Sequence, residues 1–142
     1  LFDALDADIA KVLMLVPAVK GVEFGVGFMA AELKGSENND AYALKGGKVA
    51  AVTNNAGGVL GGLSSSMPIL VRVAIKPTSS IAKEQCTVDL SRMKDAKIKV
   101  GGRHDPCVVP KAVPVVDAAV AITLVDHMIR AGFIPKMLKE RK

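Results

Sequence analysis

Apolar positions along the chain fall into runs whose spacing predicts the elements. Leu5, Ile9, Val12, Leu13 and Val16 recur at helical spacing and share one face, so the chain opens with an amphipathic helix. Asp3 is its expected N-cap, and Asp6 and Asp8 lie where the helix dipole favours anions. Pro17 ends it, because the residue before a proline avoids the helical region. Val22, Phe24, Val26 and Phe28 then alternate with Glu23, Gly25 and Gly27, which predicts a strand with one packed face. The polar "KGSENND" reads as a loop. From Gly46 to Pro68, glycine, Asn and Ser surround two short apolar pieces.

The clearest strand is "PILVRVAIKP". Ile69, Val71, Val73 and Ile75 point to one face, Arg72 and Lys76 to the other. Weaker strands around Thr87–Leu90 and Lys97–Val100 predict a hairpin through "SRMKDA". A helix from about Val113 to Ala131 is apolar nearly all the way round, so it should be sandwiched rather than laid on a surface. No internal repeat or linker is visible, and residues 1–142 read as a single unit. Helix, antiparallel-capable strands and a final helix give an α+β class, with antiparallel β-sheet layers packed against long buried helices. The βαβ spacing of a doubly wound sheet is absent.

Composition narrows the function classes. Half the residues are apolar and 23% charged, a globular mix with no tryptophan, so Val, Ile, Leu, Met and Ala must build the core. A domain of this length is expected to bury roughly 68% of its unfolded surface. Net charge is +5, but the last seven residues, "KMLKERK", carry +3 of it, which leaves no basic stripe on the body. Without that stripe or stacking aromatics, nucleic acid is not an expected partner. Cys86 and Cys107 read as free buried thiols of a reducing compartment, which points to the cytoplasm. With His104 and His127 they form no metal-ligand spacing. No signal peptide is visible. The most apolar run, Ala112–Val125, is about 14 residues and contains Asp117, too short to cross a bilayer, so no membrane is expected. The opening "LFDALDADIA" reads like a cut within a longer protein.

Three segments can carry chemistry. "NNAGGVLGGLSSSMP" offers glycine pairs that let main chain approach a ligand, but taken alone it reads better as a turn-rich connection of small residues; it fits neither standard nucleotide fingerprint. In "KPTSSI", Lys76 leaves the strand opposite the apolar face and Pro77 fixes the exit. Thr78, Ser79 and Ser80 follow with three hydroxyls. That is a cradle for a phosphate or polyol, or a polar turn at a strand end. In "GGRHDPC", Asp105 beside Arg103 and His104 can act as a proton relay. Alternatively Asp105 caps the helix region while Arg103 pairs elsewhere. His127, near Asp126 and Arg130, reads as an ordinary polar position.

Taken in order, "LFDALDADIAKVLMLVPAVKGVEFGVGF", "NNAGGVLGGLSSSMPILVRVAIKPTSSI" and "GGRHDPCVVPKAVPVVDAAVAITLVDHMIR" closely resemble the C-terminal part of chorismate synthase. The resemblance implies a lyase of the shikimate pathway to aromatic amino acids. Its members convert 5-enolpyruvylshikimate-3-phosphate to chorismate by 1,4-elimination of phosphate. They use reduced FMN that is not consumed, with NADP as an associated nucleotide, and are usually cytoplasmic homotetramers. It places flavin contacts at Gly61, at Lys76, Pro77, Thr78, Ser79 and Ser80, and at Arg103, with a backbone contact at Ala18. It assigns acid–base work near flavin nitrogen 5 to Asp105. Lys111 stands where the family usually has arginine, which loses a bidentate fork; Asp117 stands where glutamate is usual. The family's N-terminal part, with most of the substrate-binding cations, is missing, so it is the implied partner and this piece alone is expected not to turn over. The competing class is a non-catalytic oligomerisation or phosphate-binding module.

Overall fold

The computed structural model describes residues 2–135. Helix α1 covers Leu5–Met14, and its N-cap is Ala4, not Asp3. Asp3 turns into a left-handed backbone (φ 59°) and gives its carboxylate to Arg130 at 3.0 Å. An ion pair to a distant helix replaces the expected cap. Strand β1 spans Val19–Phe24, earlier than the alternation predicts. Gly25 and Gly27 adopt φ of 55° and 57° and end it, so Phe28 falls in a 3₁₀ helix, Gly27–Glu32.

The polar stretch expected to be loop contains a single helical turn, α2, Gly35–Asn38. Two short hairpins follow: β2, Tyr42–Lys45, with β3, Lys48–Ala51, and β4, Val59–Leu60, with β5, Leu63–Ser64. Strand β6 is Val71–Ile75 and pairs antiparallel with β1, Phe24 opposite Val71 and Val22 opposite Val73. Strands β7, Gln85–Asp89, and β8, Lys94–Ile98, form the predicted hairpin. Its turn is tighter than expected, because Asp89 already faces Lys94. Helix α3 runs from Val109 to Arg130. It begins before the predicted Val113. Pro110 sits in the first turn, where its missing N–H would have had no partner, and Pro114 forgoes one interior bond.

The α+β class with antiparallel pairs holds, but among the described residues the strands form four two-stranded ladders. The core centres on α1. Leu5, Ile9 and Leu13 are buried with Val59, and Ile9 and Leu13 are fully enclosed. Val22, Phe24, Val71 and Val73 pack on them from the β1–β6 pair, and Val116, Ala119, Val120 and Leu124 from α3. Complete burial of such a side chain contributes about 1.5–3 kcal/mol.

Two expectations fail on burial. Within the described residues α3 is not sandwiched: Thr123 is its one buried residue, and Ile122 is 68% exposed. Its outer side carries Val113, Val115 and Val125, each about half exposed. The second concerns the cysteines, since Cys86 and Cys107 are free but exposed. Cys86 lies on β7, where consecutive residues Cys86, Thr87 and Val88 are exposed, and Cys107 lies in the loop before α3. The chain exposes 11415 Å², whereas a compact monomer of this mass exposes about 7,000 Å². It therefore buries roughly half of its unfolded surface, not two thirds. At 22 residues, α3 is also long and apolar enough to cross a membrane. The length argument against a span does not hold; the packing of one α3 face on α1 is what gives that helix a place in a protein core.

Candidate functional site

The Lys76–Ser80 turn is built by the end of α1. Val16 N–H donates to Leu13 O, Val19 N–H donates to Val16 O, and the chain reverses through Ala18. Ala18 sits at φ 71°, a left-handed conformation that costs a non-glycine residue about 1 kcal/mol. Its carbonyl accepts the Lys76 N–H at 2.7 Å. Ala18 and the turn, two expected flavin contacts, are thus direct neighbours. Lys76, Pro77, Ser79 and Ser80 are exposed. Gln85 Nε2 steadies the turn by donating to Ser79 O at 3.3 Å. Thr78 is half-buried, and its hydroxyl oxygen is shielded from solvent with no hydrogen-bond partner. A buried polar atom left unpaired is unfavourable unless something completes it.

Gly61 lies elsewhere, at the tip of the β4–β5 hairpin. Its φ of 60° and the 82° of Gly62 suit a tight hairpin turn, and the space beside Gly61 is open. Gly62 O accepts the Leu5 N–H at 2.9 Å, which anchors the tip at the start of α1. Gly61 and Lys76 therefore stand near opposite ends of a ten-residue helix, about 15 Å of rise apart. One ligand reaches both only if it is elongated, as a flavin nucleotide is.

Arg103, His104 and Asp105 occupy the loop between β8 and α3. The relay among neighbours does not form. His104 Nε2 turns back to Val100 O at 3.2 Å, while Asp105 Oδ2 accepts Lys111 Nζ at 2.6 Å. Asp105 makes no helix cap, since the N-cap is Val108 without a side-chain bond. Arg103 is exposed and makes no ion pair among the described residues. Within those residues no hydrogen bond joins this stretch to the Lys76–Ser80 turn.

The sequence reading missed the side chains that hold these loops. Asp40 accepts from Thr53 Oγ1 and Asn55 N–H at 2.7 Å each and from Ala56 N–H at 2.9 Å, pinning the start of the glycine-rich loop. Asn54 accepts from Gly58 N–H and donates to Pro68 O, both at 2.8 Å. Glu23 accepts from Phe28 N–H at 3.1 Å and pairs with Arg72. His127 is not an ordinary surface position: its Nε2 lies 2.9 Å from Asp8 Oδ2, and Arg130 joins Asp3, Asp8 and Asp126. The only signal in the sequence was the helical spacing of Asp126, His127 and Arg130.

These bonds set the acid limb of stability. The His127 hydrogen bond, aided by Arg130, holds Asp8 below its ordinary value of 3.8 against partial desolvation. The Phe28 N–H and then Arg72 lower Glu23 from 4.5, and the Ser91 hydroxyl and N–H lower Asp89 from 3.8. At Asp40, burial raises the carboxyl, but the Ala56 N–H, Thr53 hydroxyl and Asn55 N–H together outweigh it. All four pKa values fall on folding, so their stabilisation is complete above the unfolded values and is lost as pH drops through the folded ones. Thermal melts at a series of pH values should show these groups contributing nothing to the slope above pH 5 and a falling Tm below about pH 4. Asp40→Asn should flatten that fall; an unchanged acid limb would exclude Asp40 as a contributor.

Comparison with known proteins places this arrangement. Residues 1–129 match the family model described as chorismate synthase. The chorismate synthase of Methanothermobacter thermautotrophicus is 59% identical over 134 residues, 94% of this chain and 36% of that protein. That of Archaeoglobus fulgidus is 57% identical over 137 residues, covering 96% and 38%, and that of Methanosarcina mazei 56% over 133, covering 94% and 36%. A chorismate synthase crystal structure superposes with a TM-score of 0.68 at 32% identity, covering 90% of this chain and 31% of that one. The chain thus spans little more than a third of the relatives' length. Over that span, in sequence and in fold, it belongs to the chorismate synthase family.

Proposed function

We propose that these residues are the C-terminal portion of an enzyme that eliminates phosphate from 5-enolpyruvylshikimate-3-phosphate to give chorismate, with reduced FMN bound along α1. The observation that carries the flavin reading is the Lys76–Ser80 turn against Ala18, where a strained backbone and the unpartnered Thr78 hydroxyl meet an exposed cation. That donor set fits a ligand with an anionic phosphate and polar edges, and family membership makes FMN the candidate. When bound, reduced FMN supplies electron density to the substrate and a place for the proton leaving carbon 6.

The chain's own part is positional and electrostatic. Lys76 presents a point charge to an anion, and Thr78 and the turn's N–H groups orient it. Gly61 lets main chain approach a flat or extended ligand, because no side chain stands in the way. Arg103 offers a second cation, and Asp105 takes or returns a proton at its carboxylate. The bare outer side of α3, and the surface exposed beyond that of a compact monomer, fit a piece whose remaining faces pack on the other two thirds of the enzyme and on further copies in a cytoplasmic homotetramer.

Thr78→Val in the complete enzyme tests this. It removes the hydroxyl while keeping the shape, so FMN affinity should fall about tenfold. Melting without flavin should stay level or rise, because an unpaired buried oxygen is gone. In the same assay residues 1–142 alone should form no chorismate. Unchanged FMN affinity in Thr78→Val, or turnover by the isolated piece, would overturn the corresponding part of the proposal.

A further inference from the structure

We infer that Lys111 is a positioning residue for Asp105, a role that rests on the acid–base reading above and deepens it. Asp105 has no other hydrogen-bond partner among the described residues: His104 turns to Val100, and Arg103 pairs with neither. Lys111 Nζ takes Oδ2 at 2.6 Å, so one carboxylate oxygen is fixed and Oδ1 is left for proton transfer.

The anchor is firm where the loop is not. Asp105 follows two glycines, one of them, Gly102, at φ 118°. Lys111 sits in the first turn of a 22-residue helix, flanked by Pro110 and Pro114, whose rings restrict the backbone on both sides. Its own N–H bonds Val108 O at 3.1 Å. A carboxylate on a pliable loop is thereby referred to the longest rigid element of the chain. The ammonium holds one oxygen, and a guanidinium at the same place would keep both the charge and a donor to it. Both side chains are largely exposed, at 71% and 46%, so the pair adds little to stability and its removal should not unfold the protein.

The test is a double-mutant cycle on the complete enzyme with Lys111→Met, Asp105→Asn and the pair, plus Lys111→Arg. Lys111→Met should lower kcat about tenfold while substrate KM and FMN affinity stay within about twofold. Lys111→Arg should recover most of the loss, since charge and donor return. In the Asp105→Asn background, Lys111→Met should change the residual single-turnover rate by less than about twofold, because nothing remains to position. An equal loss in both backgrounds, or wild-type kcat in Lys111→Met while Asp105→Asn is impaired, overturns the positioning role and leaves the function standing. Wild-type kcat in Asp105→Asn itself instead removes the acid–base reading on which this role depends.

Discussion

Gly57→Ala should prevent the protein from folding at 25 °C, whereas Gly46→Ala, at a similar backbone angle, should cost only about 1 kcal/mol. Both residues have positive φ, 69° and 58°. What separates them is what surrounds the added methyl. At Gly46 it meets nothing within 4 Å, but at Gly57 it would stand 2.2 Å from the backbone nitrogen of Gly25 and 2.7 Å from its Cα. Those are main-chain atoms that no rotamer change can move. They belong to a tight crossing in which Gly25 N–H bonds Leu70 O and Leu70 N–H bonds Gly57 O, each at 3.0 Å. Separating the strands by the ångström or more that a methyl needs breaks both bonds and draws Val71 and Val73 away from Leu13 and Ile9. The total exceeds about 4–5 kcal/mol, much of a domain's net stability. Soluble yield and cooperative melting of the three proteins check it. A Gly57→Ala protein that melts within a few degrees of Gly46→Ala would mean that the crossing is looser than these distances.

The same crossing explains where the sequence was readable and where it was not. α1 and β6 followed from spacing alone, because each presents one apolar face to a core and Pro17 and Pro77 mark their ends. The end of β1 did not, since Gly25 turns away to admit Gly57, thirty-two positions on, and the alternation through Val26 and Phe28 carries no trace of that approach. The start of α3 was placed four residues late, at Val113 and not Val109; the turn that was missed holds Pro110, which a first turn accepts. Under the proposed function, the exposed outer face of α3 and the exposed β7–β8 hairpin have one cause, namely that the layers they pack against belong to the rest of the enzyme. At the site, residue types were legible and partners were not. Spacing suggested the Lys76 turn, and family resemblance tied it to Ala18. Asp40 reaches 13 to 16 residues ahead and His127 reaches 119 back to Asp8, and no local pattern encodes such pairs.

In the complete enzyme, Asp105→Asn is expected to keep FMN affinity within about twofold and to lower kcat by at least about a hundredfold, the lower end of what a positioned acid–base group contributes. The amide matches the carboxylate in shape and can still accept from Lys111 Nζ, so the loop before α3 keeps its path. An exposed pair of this kind is worth at most about 1 kcal/mol, which puts loss of fold out of the question as the cause of lost turnover. An amide nitrogen, however, neither takes a proton near neutral pH nor returns one. The separation of binding from turnover is therefore the signature, and it divides the two classes of function this chain can have. An acid–base site loses kcat and retains flavin. A module that serves only assembly, with "RHDPC" as structural support, retains both, and its oligomeric state and Tm are equally untouched. Flavin titration, steady-state rates and sedimentation on one preparation separate these outcomes, and full turnover with an asparagine at this position would move the chemistry off Asp105 altogether.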